Sequence, residues 1–553
     1  MGGPPWPPLS GGSASSKEGR PRRTAHTGLA NSLVHSTNQM KTARAAIAQV
    51  SSSVVARLGM VRTLAIIAFL VSTLVMLSHR PLRQGELGDT AFYDYVAQSI
   101  VRGQLPYRDV VDIKWPGAAH LSALAIVIGK PLGIRDVIAI RLLNIFLVGA
   151  LSAIIFLVAE AYFRNRNAAV IAFLLPLMEP RFIDWMVVGT EPKLPLMVFG
   201  MLSLLLIIKD RPFWAGVCSM LACLCWQPGL MFTGVAVLMF SRYLTTWRDL
   251  RAIKAIIGAI LPLALTLVYF YVRGAFGDLW AWTITYNYGV FGPEAKQSVA
   301  GALAHIWKVV NRILNADVWL VILSVAGLLL FGAERIRARI NGESLRSREL
   351  FRDAIVFPPI VYFAFCLVNF QAGPDLIPFI PFIGLLAAKF FLEAGRLARS
   401  RIKWFNTRPD LQLARVAILA ILFVTFVRAA LYRLEGPTLK QQDEAFKTLS
   451  QLIGPNDTIY VHGMTEILVL LNRPNLNPYV FLDWGADDFA GFRRGEPFQA
   501  ILEEMEAQAP RIVALSRLKV VAHRDEFKRW AEEHYDKLEL PLAGYDGVYV
   551  RKP

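Results

Sequence analysis

The sequence predicts an α-helical polytopic membrane protein that carries a small α/β domain at its C-terminal end. Three observations lead there. Of the 553 residues, 54% are hydrophobic and the mean hydropathy is +0.42, too apolar for a chain whose whole surface meets water. Apolar runs of spanning length recur between residues 61 and 431. Residues 432 to 553 then change to short strand-like runs alternating with amphipathic helical ones.

Residues 1 to 59 begin GGPPWPPLSGG after Met1, are rich in Ser, Arg, Gly and Pro, and lack the continuous apolar core of a secretory signal. They read as a disordered basic tail. A weakly amphipathic surface helix is expected from Met40, and Met40 and Met60 stand beside Met1 as alternative starts.

A helix needs about 20 apolar residues to cross the hydrocarbon core. Spans are expected near 61–79, 138–162, 167–182, 192–208, 213–227, 229–241, 255–273, 317–333, 354–371, 375–394 and 413–431, about eleven in all. The run AAHLSALAIVIG, residues 118 to 129, is shorter and lies between Lys114 and Lys130. If it does not cross, the turns bearing Arg164 and Arg166, Lys209 and Arg211, and Arg242 to Lys254 share one side with the basic loops 334–352 and 395–408. The opposite turns at WQPG and QAGPD carry no Lys or Arg. The positive-inside rule then makes the N-terminus cytoplasmic, lays residues 118–129 along the outer interface, and leaves domain 432–553 extracytoplasmic. A multi-pass protein of the inner (plasma) membrane follows.

The formal net charge of +17 is thereby assigned to cytoplasmic loops and not to a nucleic-acid partner. Cys218, Cys223, Cys225 and Cys366 all lie in apolar segments, and His120, His305 and His462 have no ligand spacing. No metal motif emerges. The cofactor is left unknown, with a divalent cation open.

In the C-terminal domain, DTIYVHG, RIVALSR and DGVYVRK are strand candidates, separated by helical EPFQAILEEMEAQ and AHRDEFKRWAEEHY. The first external loop, residues 80 to 135, is unusually long for a connection without a task. Its stretch GDTAFYDYVAQSIVRGQLPYRDVVDIKWPG, residues 88 to 117, interleaves Asp89, Asp94, Asp109 and Asp112 with Arg102, Arg108 and Lys114. Asp89 reads as the N-cap of a short helix whose face is Phe92, Val96, Ser99 and Ile100, ended by Gly103. On residue types alone, the acids are caps and solvated loop charges, and the cations meet lipid phosphates.

The order of residues adds a resemblance. Asp89, Tyr93, Gly103, Pro106, Tyr107, Asp109, Lys114, Pro116 and Gly117 follow the first-loop pattern of the GT-C class membrane glycosyltransferases, in the bacterial branch similar to protein O-mannosyltransferases and aminoarabinose transferases (glycosyltransferase family 39-like). Trp115 departs from it, where a second proline is frequent. GTEPKLPLMVFG with Glu191, the Ala-Gly run ending at Gln227, and the C-terminal domain fall in matching places, so the resemblance covers most of residues 61 to 553.

The resemblance implies transfer of a hexosyl or pentosyl group from a polyprenyl phosphate to a hydroxyl of a glycan, lipid or protein acceptor at the outer membrane surface, with inversion. It makes Asp89 the general base, with Glu191 as a second catalytic acid. The donor phosphate falls to Lys114, Arg108 and Lys193, and substrate contacts to Tyr93, Tyr107, Asp109, Asp112 and Gln227. Plain alternatives stand beside these: Asp89 as a cap, Glu191 as a helix-end acid paired with Lys193, and Trp280, Trp282, Tyr286 and Tyr288 as an interfacial aromatic belt. A transporter or flippase of lipid-linked sugars would also be polytopic, but no internal repeat is evident. A surface polysaccharide polymerase or ligase is the nearer enzymatic rival, and a non-catalytic scaffold is the third.

Overall fold

The computed structural model describes residues 59–552 apart from 242–248, 292–297, 342–345, 402–408, 433–435, 464, 496–497 and 539–545. The N-terminal tail, its surface helix and parts of the two most basic loops lie outside the described residues. The chain divides into two units, Met1–Thr63 and Leu64–Pro553. In the first, the Gly59 carbonyl accepts the Thr63 N–H at 3.1 Å. Everything below concerns the second.

The expected apolar segments are helical, but not all of them reach full spanning length. Among the described residues, six helices are long and apolar enough to cross a membrane: Met60–Arg83, Asp136–Phe163, Arg251–Val272, Val318–Ile340, Gly373–Leu397 and Ala414–Leu431. The segments Arg166–Met178, Lys193–Ile208, Pro212–Cys225, Gln227–Ser241 and Asp353–Cys366 are shorter. Proline accounts for part of the difference. Pro176 breaks the first of these and Pro180 opens a separate helix, Pro180–Val187, beyond it, and Pro228 separates Pro212–Cys225 from Leu230–Ser241. Lys193–Ile208 is buried along most of its length, and a helix walled by protein need not match the hydrocarbon thickness that a lipid-facing one must. The 13-residue helix Gly117–Gly129 is roughly 20 Å long, too short for a roughly 30 Å core. It buries Ala119, Ala123 and Ile126 and exposes Leu124, Val127 and Ile128, the two-sidedness expected of a helix lying along an interface.

Near the C-terminus, β1 (Ile459–His462), β2 (Ile512–Leu515), β3 (Tyr535–Lys537) and β4 (Gly547–Arg551) form one sheet in the order β1-β2-β4-β3. The β1–β2 pair is parallel with Ile459 opposite Ile512; β2–β4 and β3–β4 are antiparallel, with Ile512 opposite Val550 and Tyr535 opposite Arg551. The three expected strands and both expected helices are present, Phe498–Gln508 and Arg524–His534 among them; β3 is an addition.

Both faces of β1 and β2 are buried, and strand alternation sends alternate residues to different partners. Tyr460, Val513 and Leu515 join Phe498, Ile501, Phe527 and Trp530. Ile459, Val461, Ile512 and Ala514 face Phe446 and Leu449, and beyond them Phe92, Tyr95 and Val96 of the helix Gly88–Val101. First loop and C-terminal sheet thus share one hydrophobic core.

The loop enters that core past a buried cation. Arg141, on the helix Asp136–Phe163, is wholly inaccessible. It donates to the carbonyls of Val188 (2.8 Å), Pro81 (2.9 Å), Gly85 (3.3 Å) and Gln84, and pairs with Glu86 at 2.5 Å. Burial raises the Glu86 carboxyl while Arg141 pulls it back. Burial and then the Glu86 charge drive the Asp94 carboxyl well above the usual range. A planar fork can meet such divergent acceptors where an ammonium cannot. Arg141→Ala should therefore cost about 3–5 kcal/mol by leaving Glu86 buried and uncompensated, with Arg141→Lys recovering little, read as loss of thermal midpoint in detergent.

Candidate active site

The site is assembled on the helix Gly88–Val101. Leu87, in extended conformation, is its N-cap, so Asp89 sits inside the first turn and is not the cap that the sequence reading allowed. A carboxylate there is favoured by the helix dipole, yet its side chain turns away from the helix: Oδ1 accepts from Arg517 Nη1 at 2.7 Å. Nor does the helix have a single apolar face. Residues from Ala91 to Ser99 are all buried because membrane helices pack on one side and the sheet's core on the other. Gly103 ends it as expected, at φ 88°, with Gly103 N–H to the Ile100 carbonyl and Gln104 N–H to the Ser99 carbonyl, each at 3.0 Å.

Beyond the turn the loop divides its charges between two directions. Asp109 accepts the Leu105 N–H at 2.7 Å and Arg108 Nε at 2.9 Å, and the hydrogen bond from Arg108 holds its carboxyl below the usual range. Arg108 and Asp109 are therefore placed away from the cavity, paired with each other over a local turn. Tyr107 is also outside it: it is buried, held at φ 73°, and its hydroxyl donates to the Lys114 carbonyl at 2.8 Å. Asp112 is aimed inward. It accepts the Lys114 N–H at 3.0 Å, and burial pushes its carboxyl up to about 6. The Ile113 carbonyl between them is gripped by Gln227 Nε2 at 2.7 Å and Asn287 Nδ2 at 2.6 Å. Lys114 presents its Nζ 4.4 Å from the Tyr93 ring centroid and 5.9 Å from that of Trp226. Burial and the neighbouring Lys193 charge lower its pKa.

On the facing wall, Lys193 lies 4.9 Å from the Trp226 ring centroid. Glu191 Oε1 accepts from the Lys193 backbone N–H and from Nζ, both at 3.1 Å, and Asp375 stands 3.7 Å from Nζ. Glu191 is thus the paired helix-end acid; it orients Lys193 and does not line the cavity. The C-terminal region closes the space. Arg517 reaches Asp89, lies 3.9 Å from Asp483, and stacks its guanidinium 5.1 Å from the Phe481 ring centroid. Burial raises Asp89, but Arg517 foremost, then Lys114 and Lys193, hold it below its ordinary value.

These residues enclose a cavity of about 250 Å³. Of the expected site residues, Asp89, Tyr93, Asp112, Lys114, Lys193 and Gln227 line it. Asp89 is 68% exposed, but to this hollow rather than to a convex surface. Arg517, Asp483, Asp375 and Trp226 line it too and were not anticipated. Sequence signals for them were thin: Arg517 and Asp483 follow buried strand-like runs, and Asp375 sits in the QAGPD turn, which stands out only by lacking Lys and Arg. The aromatic belt needs correction. Trp282 and Tyr286 are buried on the π-helix Ala281–Phe291, with the Tyr286 hydroxyl on the Trp484 carbonyl at 2.8 Å, while Trp280 remains exposed. Among the described residues, no three His, Cys, Asp or Glu side chains gather as a metal centre would require.

Fold and site together define a multi-pass membrane protein of GT-C-like architecture. No family model matches the sequence, and no curated protein does. Among solved structures the chain is similar to ArnT from Cupriavidus metallidurans bound to undecaprenyl phosphate, at 13% identity and a TM-score of 0.56, covering 88% of this chain and 97% of that one. It is similar also to ArnT from the same organism in the apo state, at 14% identity and 0.53, covering 89% and 98%. The Archaeoglobus fulgidus oligosaccharyltransferase AglB with an inhibitory peptide and a dolichol-phosphate is less similar, at 13% and 0.47, covering 89% and 74%. The likeness to ArnT establishes the fold expected from the first-loop resemblance.

The helix Gly117–Gly129 sets the angle of the loop, and its first residue has no room to grow: a Cβ on Gly117 would lie 2.6 Å from the Leu224 carbonyl oxygen. Gly117→Val should destabilise the protein by about 1–3 kcal/mol through overpacking. Gly234→Ala, at a position with open space around it, should leave the thermal midpoint in detergent unchanged or slightly raised.

Proposed function

We propose that the protein is a membrane glycosyltransferase that moves a sugar from a polyprenyl-phosphate donor to an acceptor hydroxyl at the extracytoplasmic face, inverting the anomeric centre, with Asp89 as general base. One observation carries the reading. A carboxylate held ionised, Asp89, and an ammonium that forms no ion pair among the described residues, Lys114, face the same cavity in a chain with the fold of ArnT. ArnT has been seen with undecaprenyl phosphate, which supports a polyprenyl phosphate as the ligand class here.

The chemistry follows from what each group can accept or stabilise. An acceptor hydroxyl is a poor nucleophile until its proton has somewhere to go. Asp89 Oδ1 is engaged by Arg517, leaving Oδ2 to take that proton as the acceptor oxygen bonds to the anomeric carbon. The bond from that carbon to the phosphate oxygen breaks, and its electron pair leaves on the lipid phosphate. The growing negative charge calls for a fixed cation rather than an acid. Lys114 suits this, whereas Lys193 is already neutralised by Glu191 and Asp375 and serves better to shape the wall.

Helix lengths support the assignment of sides. Lys193–Ile208 runs 16 residues from the cavity to Lys209 and Arg211, and Arg251–Val272 runs 22 residues from Arg251 toward it. These are roughly 24 and 33 Å, so both basic turns lie at the end away from the cavity, where the positive-inside rule places the cytoplasm. The cavity's Asp89 and Lys193 stand at the first turns of their helices, beside groups from the α/β region, which favours a transferase over a transporter with its polar residues midway along the helices.

In membranes supplied with radiolabelled polyprenyl-phosphate sugars, Asp89→Asn and Asp89→Ala should each lower transfer at least about 100-fold, and Lys114→Ala should weaken both transfer and undecaprenyl-phosphate binding. Wild-type transfer by both Asp89 variants would overturn the assignment of the base.

A further inference from the structure

The C-terminal region supplies the cavity with one cation, and the backbone that presents it is strained. Arg517 stands two residues beyond the end of β2 at φ 59°, left-handed geometry that costs a residue with a Cβ and persists only where surroundings enforce it. The enforcement is visible on both sides. Ser516 donates its N–H (3.0 Å) and its hydroxyl (2.9 Å) to the His462 carbonyl, and the Leu518 N–H is taken by Asp546 Oδ2 at 3.1 Å. His462, fully buried, bonds the Ser516 carbonyl through Nδ1 at 2.9 Å and accepts the Leu482 N–H at Nε2 at 3.0 Å. One imidazole therefore fastens the neighbours of both Arg517 and Asp483. Burial lowers its pKa to about 4, so it keeps this neutral tautomer.

Such construction is hard to explain by stability. The Arg517 and Asp89 side chains are 38% and 68% exposed, and ion pairs this open contribute little to folding. Strain of this kind clusters where a side chain must be aimed. We propose that Arg517 is the positioning residue for Asp89: from the end of β2 its guanidinium holds one carboxylate oxygen and leaves the other turned to the cavity, so that the C-terminal α/β region completes the active site. This rests on the reading of Asp89 as the base.

The groups facing Asp89 define what removal of Arg517 would do. From the first loop come Lys114 and Asp112, from the helix Lys193–Ile208 comes Lys193, and from the same helix as Asp89 comes Tyr93. On the C-terminal side stand Arg517 and Asp483, with Glu466 accepting the adjacent Gly88 N–H at 3.0 Å. Crowding by the cavity walls pushes Asp89 up even though its side chain is open to the hollow, and Arg517 is the largest opposing influence. Without Arg517 the carboxyl titrates at higher pH, and transfer begins to fail on the acid side where the wild type does not. Loss of Asp483, a neighbouring negative charge, acts in the other direction.

The test uses the full chain in nanodiscs. Asp89 is identified by infrared difference spectroscopy as the carboxyl stretch that Asp89→Asn abolishes, and its titration is followed in wild type, Arg517→Gln, Arg517→Lys and Asp483→Asn. We expect the midpoint to rise by about 1–3 pH units in Arg517→Gln, to return most of the way in Arg517→Lys, and not to rise in Asp483→Asn. With whichever undecaprenyl-phosphate sugar is turned over, Arg517→Gln should lower kcat about 10-fold or more at an unchanged half-saturating donor concentration. An unmoved midpoint in Arg517→Gln overturns the proposal, as does loss of undecaprenyl-phosphate binding that Arg517→Lys fails to restore, since that marks a merely structural role. Full transfer by Asp89→Asn would instead overturn the base assignment, whatever the titration shows.

Discussion

A helix buried on every side must satisfy two environments at once, and the helix Gly88–Val101 does so between the membrane helices and the C-terminal sheet. Phe92, Tyr95 and Val96 belong to the sheet's core, Ala97 packs with Ala123 and Ile140 of neighbouring helices, and Asp94 takes the Thr190 N–H at 2.7 Å from below. Because both sides are load on the same 14 residues, the direction of Asp89 at its first turn is set jointly. Burying Asp94 and Glu86 beside it is tolerable only because Arg141 and backbone N–H groups answer them.

That arrangement explains the economy of charge in the cavity. Lys193 is matched by Glu191 and Asp375, and Arg517 by Asp89 and Asp483. Lys114 has aromatic faces instead, with Tyr93 and Trp226 beneath its ammonium, an attraction that leaves the charge available to an anion. An anion entering such a site would meet a cation that forms no ion pair among the described residues. The loop backbone cannot drift in response, because the Ile113 carbonyl is gripped by Gln227 from a turn and by Asn287 from the π-helix Ala281–Phe291, and Val111 N–H by the Pro478 carbonyl at 3.0 Å.

Much of this was legible in the chain. The apolar segments, the loop helix with its Gly103 stop, and the three strands each depend on interactions within a few residues, so local pattern reports them. The same locality exposed Asp89, Lys114 and Lys193 as a group through their motif contexts. It failed for Arg108, Asp109 and Tyr107, where turn hydrogen bonds internal to residues 105–114 redirect side chains that the motif order alone makes equivalent. It failed again for Trp282 and Tyr286, whose amphipathic composition suits a membrane interface as well as the core that they occupy.

The sequence by itself determined a multi-pass chain with a charged first loop and an α/β ending, because hydrophobic length and turn chemistry are properties of neighbours along the chain. Only the tertiary structure decided that Arg517 and Asp483 meet Asp89, that Asp375 joins Glu191 on Lys193, and that Lys114 stands without an ion pair among the described residues. Coulomb energy depends on distance in space, and groups separated by hundreds of residues carry no local mark of the partner that folding will bring to them.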